Sequence, residues 1–255
     1  MKHGDYTILA GDYARFRPGY APSVITALLA LVDRPPAEID AADVGAGTGI
    51  FTIILAAHGL HSITAVEPND EMRRQGVLAS RKMKISWCAG SGESTGLVSQ
   101  SLDWVSMASS FHWVDFDRGC VEFQRILRPG GRFVALWNPR LIEANPLLVE
   151  IEGEIARLKP DIRRVSSGRS GLTERLTEML WSKSGFDDIL YLEGRHVARQ
   201  TPEDYLGAWR SVNDLQVQLG REVFGQFLRY VERRVAALPP IETTYLTRAW
   251  SARRV

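Results

Sequence analysis

Three glycines and an acid share the stretch DVGAGTGIF, residues 43–51. A turn rich in glycine lets backbone amides approach a ligand more closely than side chains would allow. Asp43 precedes the first of these glycines, Gly45, and a second acid, Glu67, closes the next apolar run, at SITAVEP. A carboxylate after a first strand and another after a second, roughly 20 residues past a glycine turn, is the arrangement that receives a cation or a pair of hydroxyls.

Three ligand classes compete for such a turn. A triphosphate requires a lysine followed by Ser or Thr after the glycines; here Ile50 and Phe51 follow Gly49, and that reading fails. A dinucleotide requires a third glycine where this chain has Ile50, which weakens the nicotinamide reading. The third class is a nucleoside whose charged part is an amino acid. It carries no phosphate, so a plain helix start suffices. Asp43 would face its ammonium group, directly or through water, and Glu67 its ribose hydroxyls. S-adenosylmethionine has that chemistry.

The elements that must position these residues follow from pattern and punctuation. Apolar runs at AADV, SITAV, KISW, LDWVSMA and RFVALW alternate with helical segments after Gly49, at NDEMRRQGVLAS and at DRGCVEFQRILRPGG. SGESTGLVSQS reads as a helix or a turn. Alternation of this kind predicts an α/β fold: a doubly wound, mostly parallel sheet with helices on both faces. DDILYLEGRHVA and TTYLTRAWSARR add two strands that pair antiparallel at one edge, which makes seven. TPEDYLGAWRSV has Thr201 as N-cap, Pro202 in the first turn and acids behind it, and predicts a lid helix. One structural domain is expected. Residues 1–138 form a Rossmann-like core with an N-terminal arm, 139–172 a helical lid insertion, and 173–255 the rest of the core with a second lid helix over about 201–220.

DVGAGTG, AVEP, GSGES, DWVSMASSFHWVD and RILRPGGRFVALWNP, in that order, resemble the motifs of class I S-adenosylmethionine-dependent methyltransferases. SSFHW and the N-terminal YARFRPGY resemble the small-molecule branch that includes trans-aconitate methyltransferase-like proteins. The resemblance covers Tyr13 to Pro139. It implies that Asp43, Gly45, Ala46, Gly47 and Gly49 hold the methionine part, Glu67 the ribose, and Pro68 with Asn69 the adenine side. Ser91, Gly92 and Glu93 would meet the adenine edge, although many relatives have Asp where Ser91 stands. Ser109 and Ser110 would lie under the methionine chain. Tyr13 and Arg17 would fold over the cofactor, with Arg17 facing its carboxylate.

His112, in the SSFHW turn at the sheet's carboxyl edge, reads either as a general base or as a structural ring. Tyr20, Trp113, Trp137, Tyr205 and Trp209 are the candidate acceptor-binding residues. The expected reaction is direct in-line methyl transfer to oxygen or nitrogen of a small organic molecule. A nucleic-acid methyltransferase and a non-catalytic cofactor-binding protein are the alternatives. The turn after the fourth strand is SSFHW rather than the acid- or amide-Pro-Pro-aromatic turn of base-amino methylation. Cys120 falls within a helix, away from where a cytosine-attacking thiol would stand.

Composition agrees with a small-molecule enzyme. The 255 residues hold 31 basic and 30 acidic side chains, a net charge of +1, and lack the basic excess of nucleic-acid binders. Arg163, Arg164 and Arg169 read as solvated surface. Cys88 and Cys120 show no metal or disulfide spacing, and no run of apolar residues is long enough to span a bilayer. The expectation is a cytoplasmic monomer or homodimer with no metal, nucleic-acid or membrane partner. Trp181, Trp209 and Trp250 are expected in the packing.

Overall fold

The computed structural model describes residues 4–163 and 171–255. Arg164 and Arg169, and part of the 139–172 insertion, lie outside them. Seven strands form one sheet in the order β3-β2-β1-β4-β5-β7-β6. They are β1 (Asp40–Val44), β2 (Ser62–Val66), β3 (Ser86–Cys88), β4 (Leu102–Ala108), β5 (Leu127–Trp137), β6 (Phe186–Gln200) and β7 (Ile241–Arg254). The first five are parallel, and β7 runs antiparallel to both β5 and β6. Chain order reverses between β1 and β4, where open α/β sheets leave a crevice at the strand tips.

Helices cover both faces because the central strands bury both sets of alternate side chains. Val105, Phe133 and Ala135 pack with α5 (Phe116–Ile126) and α7 (Gly171–Trp181). Trp104, Val134 and Leu136 pack with α2 (Pro22–Leu29) and α3 (Ile50–Ala56). α4 (Asp70–Ser80) is capped by Asn69, whose side chain accepts from the amides of Glu71 and Met72. α5 is capped in the same way by Asp115 and gives way directly to β5 at Leu127. That strand start is earlier than the proline and glycine of LRPGG suggest, because Leu127 pairs with Leu102. The SGESTGLVSQS stretch is a turn rather than a helix.

A separate apolar cluster joins α6 (Pro146–Leu158), α8 (Pro202–Arg210) and α9 (Asn213–Val235). The expected lid helix over 201–220 is two pieces. α8 stops at Arg210, and Gly220 interrupts the next helix with φ 71° and ψ 168°. Trp209 and Trp250 are buried as expected, whereas Trp181 is 59% exposed. It falls on the side of α7 turned away from the sheet, since Thr173, Leu176 and Leu180 occupy the buried side.

The N-terminal segment is fastened to this lid. α1 (Ala10–Phe16) packs on α8, Arg15 pairs with Glu203, and Asn213 accepts from Gly4 N and donates to Asp5 O. The approach of α1 to α8 depends on Gly207, where a Cβ would stand 2.4 Å from the Phe16 ring. Gly207→Ala is therefore expected to destabilise the protein by ~1–3 kcal/mol through overpacking, despite the ~1 kcal/mol that alanine gains in a helix. Denaturant unfolding, with tryptic cleavage after Arg15 as the local readout, tests this. An unchanged midpoint with an equally protected arm would remove Gly207 from that role.

Candidate active site

The strand tips open into a cavity of about 420 Å³. Its floor is the turn after β1. Gly45 has φ +64°, and a Cβ there would lie 2.7 Å from Ser110, so only glycine lets β1 and the β4 tip meet at this distance. Ala46 N donates to Val66 O at 3.1 Å, and Gly49 N to Ala46 O at 2.9 Å. The turn is thereby tied to β2 and closed on itself.

Glu67 stands at the cavity wall and is 7% exposed. Its Oε2 accepts from Gly47 N at 2.7 Å and its Oε1 from Asn69 N at 2.9 Å. Burial raises its pKa, and those two amide bonds oppose the rise. Each oxygen keeps capacity for a further donor. Glu93 also lines the cavity, with Oε1 accepting from Asp115 N at 2.9 Å.

Asp43 is placed differently from the expectation. It is fully buried and is not part of the cavity wall. One carboxylate oxygen accepts from Thr52 Oγ1 at 2.6 Å and the other from Ser106 Oγ at 3.0 Å. These bonds join β1 to α3 and to β4 beneath the glycine turn. Burial pushes its pKa up to about 7 against both hydroxyl bonds. Asp43 braces the turn from beneath and does not line the cavity.

The other sequence-predicted residues divide clearly. Tyr13, Arg17, Tyr20, Gly45, Ala46, Gly47, Pro68, Asn69, Ser91, Gly92, Ser109 and Trp113 all line the cavity with Glu67 and Glu93. His112, Trp137, Tyr205 and Trp209 do not. Trp137 is fully buried under the wall, and its indole N–H donates to His112 Nδ1 at 3.3 Å. Tyr205 and Trp209 turn into the lid core instead of the cavity. The amphipathic spacing of α8 gives both a buried face, and only the lid's packing decides what that face covers.

Arg17 reaches the cavity from the arm. Its Nε donates to Ser211 Oγ at 2.8 Å and its Nη2 to Ser211 O at 3.1 Å, and the guanidinium lies 5.0 Å from the Tyr13 ring centroid. Ser109, at the β4 tip, has φ +56°, an uncommon conformation for a residue with a side chain. Its amide bonds to Leu136 O at 2.7 Å and its hydroxyl to Tyr20 at 3.0 Å. Burial drives the Tyr20 pKa upward, so this phenol stays neutral.

Sequence reasoning missed Tyr6, Met72, Met107, Asn138 and Tyr245, which also line the cavity. Asn138 sat in a quoted motif, WNP, directly after β5 and could have been found. Tyr245 comes from β7, more than a hundred residues later, and no local signal marks it.

The lining suits a nucleoside bearing an amino acid. It contains a carboxylate at the β2 tip, apolar walls from Met72 and Val114, a single arginine and no lysine. Phosphate-binding machinery is absent from the described lining residues. No group of three or more metal-binding side chains occurs among the described residues, and no described helix is long and apolar enough to cross a membrane.

Residues 42–135 match the methyltransferase domain family. An uncharacterized methyltransferase of Mycobacterium tuberculosis is 40% identical over 130 residues, 51% of this chain and 50% of that protein. An uncharacterized methyltransferase-like protein of Schizosaccharomyces pombe is 31% identical over 153 residues, 59% of this chain and 57% of that one. The chain thus spans about half the length of the curated relatives it matches. Among solved structures, a protein of Anaeromyxobacter dehalogenans provisionally described as a type II methyltransferase has a TM-score of 0.65 at 23% identity, with 93% of this chain and 98% of that one covered. Phosphoethanolamine N-methyltransferase 2 of Haemonchus contortus, solved with phosphomonomethylethanolamine and S-adenosylhomocysteine, has a TM-score of 0.55 at 16% identity, covering 97% of this chain and 56% of that one. These structural likenesses establish the fold.

The raised pKa of Asp43 has a measurable consequence. Its unfolded value is near 3.9, so between about pH 4 and 7 the folded state holds a proton that the unfolded state releases. Stability from this group is present below pH 4 and is lost as pH rises to about 7. Asp43→Asn removes that loss. The stability of the variant relative to wild type should climb between pH 4 and 7 and level off above, as read by denaturant melts across pH. A flat difference would show that Asp43 is ionised throughout that range.

Proposed function

We propose that this chain, whose residues 42–135 match the methyltransferase domain family, is a class I S-adenosylmethionine-dependent methyltransferase that methylates a small organic molecule on oxygen or nitrogen. The observation that carries the small-molecule part is the roof. The arm, locked to Ser211 and Asn213 by Arg17, Gly4 and Asp5, covers part of the strand tips and narrows them to a partly open cavity of about 420 Å³, a size that suits a small molecule.

S-adenosylmethionine bound in the chamber would supply a methyl group already activated on a sulfonium. Glu67 would accept from the ribose hydroxyls while it holds Gly47 and Asn69 in place. Pro68, Asn69, Ser91, Gly92 and Glu93 would border the adenine, with Met72 and Val114 as its apolar walls. Gly45, Ala46, Gly47 and Ser109 would follow the methionine part, under Tyr13. Arg17 would face its carboxylate, fixed by Ser211 so that little entropy is lost on pairing. Tyr20 and Trp113 would border the acceptor.

Proton handling follows from what the wall lacks. Glu67 and Glu93 are engaged on the nucleoside side, and Tyr20 holds its proton. His112 lies behind the wall with Nδ1 engaged by Trp137, so its proposed role is to hold the FHW turn. The acceptor must therefore bring its own lone pair, as a carboxylate or a neutral amine does. The protein contributes alignment and exclusion of water.

Three measurements test the reading. S-adenosylhomocysteine should raise the melting temperature, and NADH should not. Glu67→Ala should weaken S-adenosylhomocysteine about tenfold or more, as expected for losing hydrogen bonds to a charged group. His112→Ala should lower the melting temperature and leave turnover near wild type, assayed with labelled cofactor and a metabolite panel. Protection by NADH instead, or methyl transfer to RNA in a stoichiometric complex, would overturn this function.

A further inference from the structure

Glu67 follows β2, and four strand steps separate β2 from β7 in the sheet, about 19 Å at ~4.8 Å per strand. At the β7 end the wall consists of Tyr20, Ala108, Ser109, Asn138 and Tyr245. Most polar groups there are already spent. Tyr20 and Ser109 bond to each other, which uses one of their two hydroxyl hydrogens. The Asn138 amide donates to Gly19 O at 2.7 Å, and its oxygen accepts from Thr247 Oγ1 at 2.9 Å.

Tyr245 differs. Its hydroxyl oxygen accepts from Arg140 Nε, a long contact of 3.4 Å, which leaves the hydroxyl hydrogen free to donate. No acceptor for it occurs among the described residues. The backbones of Arg140 and Tyr245 form an antiparallel bridge, and the guanidinium stacks 4.0 Å from the Trp209 ring centroid. The Tyr245 ring is stacked on His196 with centroids 5.6 Å apart. Tyr245 is thus held from both sides where it lines the cavity.

Arg140 makes no ion pair among the described residues. Glu152 of α6 is the acid whose field reaches it, but it does not come within salt-bridge distance. The buried Tyr205 and Trp209 side chains stand beside Arg140, their rings edge to face with centroids 6.4 Å apart. A partly buried guanidinium with one long hydrogen bond is costly unless a negative group compensates it.

We infer that Tyr245, oriented and polarised by Arg140, selects an acceptor bearing an oxyanion, a carboxylate or a phosphate, by donating its hydroxyl hydrogen to that group. A charge-assisted bond of this kind is about twice as strong as a neutral one. Tyr245 touches the ligand, and Arg140 is a positioning residue that acts through it. The inference rests on the methyltransferase reading only in calling that ligand the acceptor.

Calorimetry of the full chain with phenylacetate, phenyl phosphate, phenylacetamide and phenethylamine, with and without saturating S-adenosylhomocysteine, tests it. At least one anion should bind tenfold or more tightly than both the amide and the amine, and which anion does so identifies the source of the charge. Tyr245→Phe should bring anion affinity close to that of the amide while S-adenosylhomocysteine affinity stays within twofold. Arg140→Gln should do the same, and Arg140→Lys should recover part of the preference. Thermal melts check that each variant folds, and Tyr245→Phe, which removes one oxygen atom, is the arm least exposed to misfolding. Anions that bind no better than the amide, no measurable anion binding at all, or an intact preference in Tyr245→Phe would overturn the inference. Failure of S-adenosylhomocysteine to bind while the anion preference persists would instead remove the methyltransferase reading and leave the anion site standing.

Discussion

The site depends on one carboxylate that is already in use. Glu67 accepts from Gly47 and from Asn69, so it fastens the glycine turn after β1 to the turn before α4. The two loops that must flank a nucleoside are therefore set relative to each other by the protein itself. A ligand that adds hydroxyl donors to Glu67 joins an organised network, and little reorganisation is left to oppose binding. Asp43 supports the same turn from below through Thr52 and Ser106. Its burial explains why it braces the loop from beneath and does not reach the cavity.

The second half of the chamber is made by parts distant in sequence. Arg17 carries the arm to Ser211, and the packing of Phe16 on Gly207 holds α1 against α8. This roof narrows a crevice between strands, the default of the fold, to a partly covered cavity. The roof also separates the charges. Glu67 and Glu93 belong to the tips and turns at the β2–β3 side, whereas β7 brings Tyr245 with Arg140 behind it.

The sequence by itself determined the alternation of strands and helices, the seven-stranded sheet, the glycine turn and the acid at the tip of β2. Each of these is written in local pattern: apolar runs of strand length, caps at Asn69 and Thr201, glycines where the backbone must turn or approach closely. The residues of the site that lie next to such motifs were legible for the same reason. What the sequence left open was the direction in which a buried aromatic faces. Trp137, Tyr205 and Trp209 are buried as their patterns require, but the packing of α8 on α9 and of Trp137 under the SSFHW turn settles what they are buried against. Tertiary structure alone decided that His112 points to Trp137 and that Asp43 is sealed beneath its turn. It alone brought Tyr245 from the last strand to the cavity wall, because side-chain direction and long-range strand pairing depend on neighbours that no local spacing encodes.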